Sequence, residues 1–242
     1  MRPNHRYKSD IPDGVTQKLV KKYREKRSSD GVTQAIYLRE EDCLLQGVVV
    51  GKRFYDKEGE LCIEQPLKDN LLHGRVCFFS DGWLELIEPY FEGMMHGVAK
   101  QYDQDGKLLG TYRMSHGTGL DIWRCRRADG SVGVAEIHSM KHGTLHGYEW
   151  WFDCEDGRLW SEAHWHAGRR HGIERNWIKG KRSVYSKPIF WINDEKVTKR
   201  EYVKACETDK TLPPYRDVDD LPARTLPSRV QKLLGIASVT TQ

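Results

Sequence analysis

The stretch Gly93–Gly117, "GMMHGVAKQYDQDGKLLGTYRMSHG", contains two His-Gly pairs that flank an aromatic residue and an Asp-Gly turn. This order describes either one loop of an active site or one copy of a repeated unit. Asp-Gly between short runs rich in aromatic and β-branched residues is typical of a β-hairpin. The remainder of the chain decides between the two interpretations.

Turn glycines recur along the chain at nearly constant spacing. They lie at Gly59, Gly82, Gly106, Gly130, Gly157 and Gly180, separated by 23, 24, 24, 27 and 23 residues. A second series interleaves with them: His73-Gly74, His96-Gly97, His116-Gly117, His146-Gly147 and His171-Gly172, with Gln46-Gly47 as a degenerate earlier member. Repetition at one period favours architecture over a single active-site loop.

Each unit also carries an aromatic residue shortly before its turn glycine. These are Phe54/Tyr55, Phe78/Phe79, Tyr102, Trp151/Phe152 and Trp177, with Trp123 as the nearest equivalent in the irregular fourth unit. Isolated hairpins are marginal in water, so neighbouring units must pair to stabilise one another. The sequence therefore predicts a mainly β fold, a single antiparallel sheet of consecutive hairpins with short helices at both ends.

Units of about 23 residues with the pattern "G-x-x-H-G-x-x-x-x-Y-x-x-D-G-x-L" resemble the bacterial variant of the MORN repeat, found in proteins often labelled YwqK-type antitoxins. The resemblance covers about residues 40–185. It implies an elongated, curved sheet that contacts proteins or membrane surfaces without catalysis. The chain departs from the pattern at Gln46-Gly47, which lacks the histidine, and at residues 131–143, where extra residues predict a bulge or a longer loop.

The composition bounds the class of protein. The chain has 242 residues, of which 38% are hydrophobic and 31% charged, and no window resembles a membrane span or a secretory signal. We therefore expect a cytoplasmic protein whose six widely spaced cysteines are reduced. Three segments are predicted: a basic arm over 1–35, the repeat domain over 36–185, and a C-terminal cap over 186–242 with a strand, a helix and a Pro-rich extended tail.

The positive charge of the chain is concentrated at its N-terminus, since residues 1–30 carry a net charge of +5 and the remainder −1. The segment "GVTQKLVKKYREKR" over 14–27 has helical composition. Its basic side chains are Lys18, Lys21, Lys22, Arg24, Lys26 and Arg27. They would contact an anionic surface, either nucleic acid, an acidic protein or phospholipid, or they form the solvated face of a helix that caps the first hairpin.

The C-terminal segment predicts a cap for the open end of the repeats. A strand is expected over 189–192, a turn at Asn193-Asp194 and a helix over 199–206, with Thr198 and Glu201 as a capping box. A second short helix would be capped by Ser228 and ended by Gly235.

Candidate sites for chemistry are weak. Neither a P-loop nor any of the nucleophile or zinc-protease motifs occurs, so we expect a non-enzyme without cofactor, metal or small-molecule substrate. The best metal candidate is the set His164, His166 and His171, followed by His138, His142 and His146. Histidines copied in every repeat predict rings stacked in a ladder or bonded to backbone carbonyls, and the recurrent Glu64, Glu88, Glu136 and Glu162 predict a solvated face.

Aromatic residues are the remaining candidates, because eight tryptophans is a high number for this length. They either fill the inside of a curved sheet or line a groove that takes a peptide or a protein edge. The predicted partner-binding residues are Tyr102, Trp123, Trp151, Trp165, Trp177, Arg169 and Arg170. The leading hypothesis is a protein-binding repeat protein, of the antitoxin or immunity class by resemblance. Alternatives are a scaffold tethered to an anionic surface by its basic arm and, last, an enzyme built on the histidines.

Overall fold

A computed structural model describes residues 7–22, 39–177, 187–216 and 225–235 of the chain. Within these ranges the protein is mainly β, as predicted, with eighteen antiparallel strands and two short helices. The residues fall into two compact units, Met1–His116 and Gly117–Gln242. No helix in the described ranges has the length and apolar character that a membrane crossing requires.

The first unit is a succession of hairpins in which each long strand pairs with the next along the chain. Two-residue strands continue two of these ladders beside the turns. The strands are β1 (Thr16–Lys22), β2 (Arg39–Leu45), β3 (Val48–Tyr55), β4 (Leu61–Lys68), β5 (Leu71–Leu72), β6 (Gly74–Ser80), β7 (Trp83–Phe91), β8 (Met94–Met95), β9 (Gly97–Tyr102) and β10 (Leu108–Ser115).

The second unit repeats the same succession and ends in the cap. Its strands are β11 (Thr118–Arg126), β12 (Val132–Lys141), β13 (Thr144–Phe152), β14 (Leu159–His166), β15 (Arg169–Arg170), β16 (Gly172–Asn176), β17 (Ile189–Ile192) and β18 (Glu195–Val197). Residues 131–143, predicted to form a bulge or a longer loop, lie mostly in β12, a ten-residue strand whose register shifts between His138 and Met140. The extra residues therefore lengthen a strand and bulge it.

Two-residue turns join the strands at one end of the hairpins. Both residues of each turn have positive φ, which is the geometry of the type I′ turn. At this end, the turns within the described residues are Gln46-Gly47, Asp69-Asn70, Glu92-Gly93, His116-Gly117, His142-Gly143, Ala167-Gly168 and Asn193-Asp194. Asp81-Gly82, at the other end, joins β6 to β7 with positive φ at both residues as well. Positive φ belongs to the left-handed backbone region, which glycine, asparagine and aspartate adopt more readily than other residues. This explains why these residues recur in the turns.

The predicted N-terminal helix is wrong in the part of 14–27 that the structure describes. Thr16–Lys22 form strand β1, antiparallel to β2. The reason is charge complementarity, because β2 begins "REED" and Lys18 and Lys21 lie directly opposite Asp42 and Glu40. Helix propensity is a weak preference, and a neighbouring strand of opposite charge overrides it.

The cap follows the sequence closely. Helix α1 (Lys199–Thr208) begins after Thr198, whose side chain accepts from the backbone N–H of Glu201 while the Glu201 carboxylate accepts from the Thr198 backbone. Helix α2 (Ser228–Leu233) begins one residue earlier than predicted, with Pro227 as its cap and Ser228 as its first residue. Tyr202 of α1 packs with Ile173, Phe190 and Leu212 in a buried cluster.

The strands of the second unit have one covered face and one open face. Residues directly opposite each other on paired strands share a face, and successive residues point to opposite faces. The row Ile122, Ile137, Trp150, Glu162 and Arg175 crosses five strands and is buried throughout. The adjacent row Trp123, Glu136, Trp151, Ser161 and Asn176 is only partly buried. We call the second side the open face.

The expectation that all six cysteines are reduced is wrong, because Cys125 and Cys154 form a disulfide. Cys125 lies near the end of β11 and Cys154 in the turn after β13, so the bond crosses the intervening strand β12. A Cβ at Gly133 of β12 would lie 3.2 Å from the Cys125 sulfur. The spacing of 29 residues gave no signal, since the contact depends on three strands being aligned.

We expect four titratable thiols, from Cys43, Cys62, Cys77 and Cys206, when the protein is denatured without reductant, and six after reduction. Closing a loop of this length constrains the unfolded chain, so Cys125→Ser should lower the free energy of unfolding by about 3–4 kcal/mol. Thiol titration and urea unfolding with and without reductant measure both quantities. Six thiols in the untreated protein would contradict the assignment.

Candidate functional site

The open face of the second unit carries indole rings interleaved with carboxylates. Trp123 of β11 and Trp151 of β13 lie on either side of Glu136 of β12, each as its direct cross-strand partner. The Trp151 ring also contacts Trp160, with ring centroids 5.7 Å apart and the planes tilted by 56°. These side chains are partly exposed, so part of each ring is accessible to a partner.

A second row of the open face holds a histidine between two acids. His138 of β12 lies opposite Asp121 and Glu149 on the neighbouring strands. Its Nε2 is 3.0 Å from Glu136 Oε2 and its Nδ1 is 2.9 Å from Glu149 Oε1. Burial alone would lower the pKa of His138, but the hydrogen bonds to Glu136 and Glu149 outweigh it and raise the pKa from 6.5 to about 9. His138 is therefore an imidazolium at neutral pH.

Glu149, which lies opposite His138 on strand β13, is held in its charged form. Burial would raise the pKa of Glu149, but His138 and the Trp165 indole, which donates to Glu149 Oε2 over 2.9 Å, keep that pKa below its ordinary value. The Trp123 indole likewise donates to Asp121 Oδ2 over 3.3 Å, so the nitrogens of Trp123 and Trp165 are both bonded to carboxylates. This leaves the ring faces, not the N–H groups, available for contact.

An arginine of the chain fills one end of the open face. The Arg170 guanidinium lies 5.6 Å from the centre of the Trp165 ring and 5.0 Å from that of Trp191. Its Nη1 is 3.5 Å from Glu174 Oε2, and Glu174 Oε2 also accepts from the Trp191 indole over 3.0 Å. Two indoles and one carboxylate therefore surround one cation.

The structure brings together most but not all of the predicted partner-binding residues. Trp123, Trp151, Trp165 and Arg170 lie on the open face, and Arg169 is exposed beside Arg170. Trp177 follows Asn176 on the opposite side and is buried, so we leave it out of the candidate surface. Tyr102 lies in β9 of the first unit and is not part of the open face of the second unit.

Several residues of the open face were not predicted as site residues from the sequence. His138 was considered only as a metal ligand, and Glu149, Glu174 and Trp191 were not singled out. The alternation "EIH" over 136–138 in β12 and "EWW" over 149–151 in β13 is the available signal, because alternate residues of a strand share a face. Using that signal requires the cross-strand register, which the sequence does not state.

The basic arm lies beside acidic side chains where it is described. Lys18, Lys21 and Lys22 are exposed on β1, with Asp42 opposite Lys18 and Glu40 opposite Lys21. The predicted residues Arg24, Lys26 and Arg27 lie outside the described residues. The carboxylates of β2 offset part of the positive field of the lysines, which weakens their attraction for an anionic surface.

The recurrent histidines organise the turns. His73, His96, His146 and His171 each come three residues after the second turn residue. Nδ1 of His96, His146 and His171 accepts a hydrogen bond from the backbone N–H of the next turn, at His116, Ala167 and Asn193 respectively. The expected ring stacking is not found in the two closest pairs, because the planes of His96–His116 and His146–His166 are tilted by 59° and 47° at centroid distances of 4.2 and 4.7 Å. The backbone partner of the three imidazoles is an N–H, not the expected carbonyl.

His116 differs from the other members of its series, because it is itself the first residue of a turn, with φ of 45°. Sequence spacing alone grouped it with the others. The position three residues beyond its turn is occupied by Leu120, so the series of histidines that follow the turns is interrupted at this turn.

The histidines of the best metal candidate, His164, His166 and His171, have other contacts. His164 Nδ1 lies 2.6 Å from the carbonyl oxygen of His171, and His171 Nε2 contacts Thr211 Oγ1 at 2.9 Å. Within the described ranges, no group of three or more His, Cys, Asp or Glu side chains is arranged to hold a metal ion. These imidazoles tie β14 and β16 to the residues that follow α1.

The interpretation of the recurrent glutamates as a solvated face is wrong for Glu64, Glu88 and Glu162, which are buried, whereas Glu136 is partly exposed. Each buried glutamate accepts from donors on neighbouring segments. Arg53 Nε and Ser9 Oγ approach Glu64 at 2.9 and 2.5 Å, the Tyr112 hydroxyl donates to Glu88 over 2.7 Å, and the Trp150 indole donates to Glu162 over 2.8 Å. The repeat therefore buries a carboxylate at a recurring position and satisfies it across the sheet.

The raised pKa of His138 gives a pH-dependent stability. A group whose pKa is raised by folding stabilises the protein fully below its unfolded value of about 6.5, and the contribution is lost as the pH rises through about 9. We expect the free energy of unfolding to fall by about 2–4 kcal/mol across this window. Urea unfolding at several pH values measures it, and His138→Gln, which retains an N–H donor, should flatten the dependence. Parallel pH profiles for the two proteins would contradict the prediction.

No family model matches the chain, and comparisons with curated proteins and with solved structures find no significant match. The resemblance to the MORN variant therefore depends on the repeat pattern and stays a prediction. What the chain does has to be argued from the open face itself.

Proposed function

We propose that the protein is a non-catalytic repeat protein that binds another protein through the open face of its second unit. The observation that carries the proposal is the contrast between the two sides of the same strands. One side is buried in β11, β12, β13, β14 and β16, whereas the other presents partly exposed Trp123, Trp151, Trp160 and Trp165. Tryptophan and arginine are the residues that contribute most to protein–protein binding energy.

The antitoxin or immunity role is the finer form of this proposal. It is supported by the MORN-variant pattern over 40–185 and by a surface suited to a protein partner. An inhibitor of this kind needs affinity and no chemistry, which agrees with histidines that organise turns and with buried carboxylates that are satisfied internally. Co-expression of the product of a neighbouring toxic gene with this chain would test the role directly.

The experiment for binding uses the full chain as bait, with wild type, Trp151→Ala and Trp83→Ala compared. Trp83 is a partly exposed tryptophan of the first unit and serves as the matched control. We expect one stoichiometric partner, which rebinds as a purified protein to wild type and Trp83→Ala and at least about 30-fold more weakly to Trp151→Ala. A partner that binds all three equally would remove the open face from the proposal.

The alternative is a scaffold attached to an anionic surface through the basic arm. The exposed side chains of Lys18, Lys21 and Lys22 favour it, and the acidic strand beside them opposes it. Flotation with vesicles containing one-third phosphatidylserine distinguishes the scaffold from the protein-binding proposal. Replacement of the three lysines by glutamine should have no effect under the leading proposal, and loss of flotation would favour the scaffold.

A further inference from the structure

We infer that the Trp123–Glu136–Trp151 cluster of the open face binds the guanidinium group of an arginine in a basic segment of the partner protein. The inference rests on the proposed function and names the chemistry of its binding site. The cluster is a carboxylate placed between two indoles on adjacent strands. A cation there would meet a negative charge and two ring faces at once.

The chain uses the same arrangement twice for its own arginines. Arg39 lies 4.1 Å from the centre of the Tyr55 ring, and its Nε is 3.1 Å from Glu41 Oε1. Arg170 lies over Trp165 and Trp191 beside Glu174. In both cases an aromatic face and a carboxylate hold one guanidinium. Among the described residues, no lysine or arginine lies over Trp123, Trp151 or Trp160.

Glu136 retains capacity for such a ligand. Its side chain is 26% exposed, and its contact in the described chain is through one oxygen, Oε2, to His138. The His138 imidazolium is turned toward Trp151 edge-on, with centroids 5.7 Å apart and planes at 89°, so it does not cover the ring face. The second oxygen and both indoles can therefore contact an added cation.

The charge balance of the open face favours a basic occupant. Glu136, Glu149 and Glu174 carry negative charge, and the cations in contact with them are His138 and Arg170. A basic segment brings the missing positive charge, whereas RNA or an anionic vesicle would add to the negative charge. Arginine is preferred to lysine because its planar guanidinium stacks on indole and pairs with a carboxylate simultaneously.

The direct test titrates the full chain with the peptide acetyl-GRGRGRG-amide and with the same peptide carrying citrulline, a neutral isostere of arginine. Indole N–H signals in NMR spectra report the site, assigned by single Trp→Phe variants. We expect shifts concentrated at Trp123, Trp151 and Trp160, and binding of the citrulline peptide weaker by about tenfold or more. Equal binding of the two peptides, or shifts at other indoles, would overturn the inference.

Variants then assign the site to residues. Glu136→Gln and Trp123→Leu should each weaken the binding of the arginine peptide about tenfold. The control variants Glu58→Gln, in an exposed turn of the first unit, and Trp83→Leu should leave this binding unchanged. Urea midpoints show that the variants remain folded. Unchanged binding in Glu136→Gln, or tighter binding of an oligouridine or an anionic vesicle than of the arginine peptide, would also overturn it. If a partner depends on Trp151 while the arginine peptide does not bind, the inference fails and the proposed function stands.

Discussion

Replacing Arg175 by methionine is expected to lower the free energy of unfolding by about 3–5 kcal/mol. Arg175 Nη1 lies 3.1 Å from Glu162 Oε1, and the two side chains are 2% and 0% exposed. Methionine fills a similar volume but carries no charge, so Glu162 would be left as a buried carboxylate without its counter-ion. Burying an unpaired charge is among the most costly changes that a single substitution makes.

The surface pair Arg158–Asp156 is the matched control. Its Nε–Oδ2 distance of 3.0 Å is close to that of the buried pair, but the side chains are 74% and 43% exposed. Water solvates either charge when the other is removed, so Arg158→Met should cost less than about 1 kcal/mol. Urea unfolding followed by tryptophan fluorescence measures both variants. Similar losses for the two would show that the Glu162–Arg175 pair is not buried as described.

A double-mutant cycle separates the ion pair from the packing. Glu162→Gln keeps an acceptor for the Trp150 indole, which donates to Glu162 over 2.8 Å, but removes the negative charge. The combined variant Glu162→Gln/Arg175→Met should therefore be less destabilised than the sum of the single changes by about 1–3 kcal/mol. A strictly additive result would assign the loss in Arg175→Met to packing alone.

The order of the hairpins was predictable because it depends on local sequence features. Asp-Gly and His-Gly spacing, aromatic positions and the Thr198–Glu201 capping box each act within a few residues. Strand β1 was not predicted, because the local composition of 14–27 favours a helix and only the acidic β2 changes the outcome. The burial of the recurrent glutamates was not predicted, for a related reason. Whether Glu162 meets water or Arg175 depends on segments far along the chain that cover one side of the strands.

The candidate site was predicted in its residue types more than in its arrangement. Tryptophans and an arginine rim were expected to bind a partner, and Trp123, Trp151, Trp165 and Arg170 do share the open face. Of the acids between them, only Glu136 was considered, as part of a solvated face, and Trp177 was placed with the site residues although it is buried. Strand alternation fixes which neighbours share a side, but a bulge such as that between Trp123 and Arg124 shifts every later residue.

Replacing Gly117 by alanine is the second change expected to have a large effect. Gly117 is the second residue of a type I′ turn, with φ of 70°, and a Cβ there would lie 2.3 Å from the backbone nitrogen of Gly143. That nitrogen donates to the Gly117 carbonyl over 3.0 Å, so the turn cannot move away without losing the bond that joins the two turns. We expect a loss of about 3–5 kcal/mol, from backbone strain together with the clash.

Gly143 provides a control at the equivalent position of the next turn. Its φ of 78° imposes a similar strain on alanine, but a Cβ there would meet nothing within 4 Å. Gly143→Ala should therefore cost only about 1–2 kcal/mol, the strain alone. The difference between the two variants measures the stacking of successive turns, which the histidine ladder and the turn-to-turn hydrogen bonds both require. Equal losses in urea unfolding would mean that the turns of β11–β13 do not contact one another, and the repeat would then be held together by its strands only.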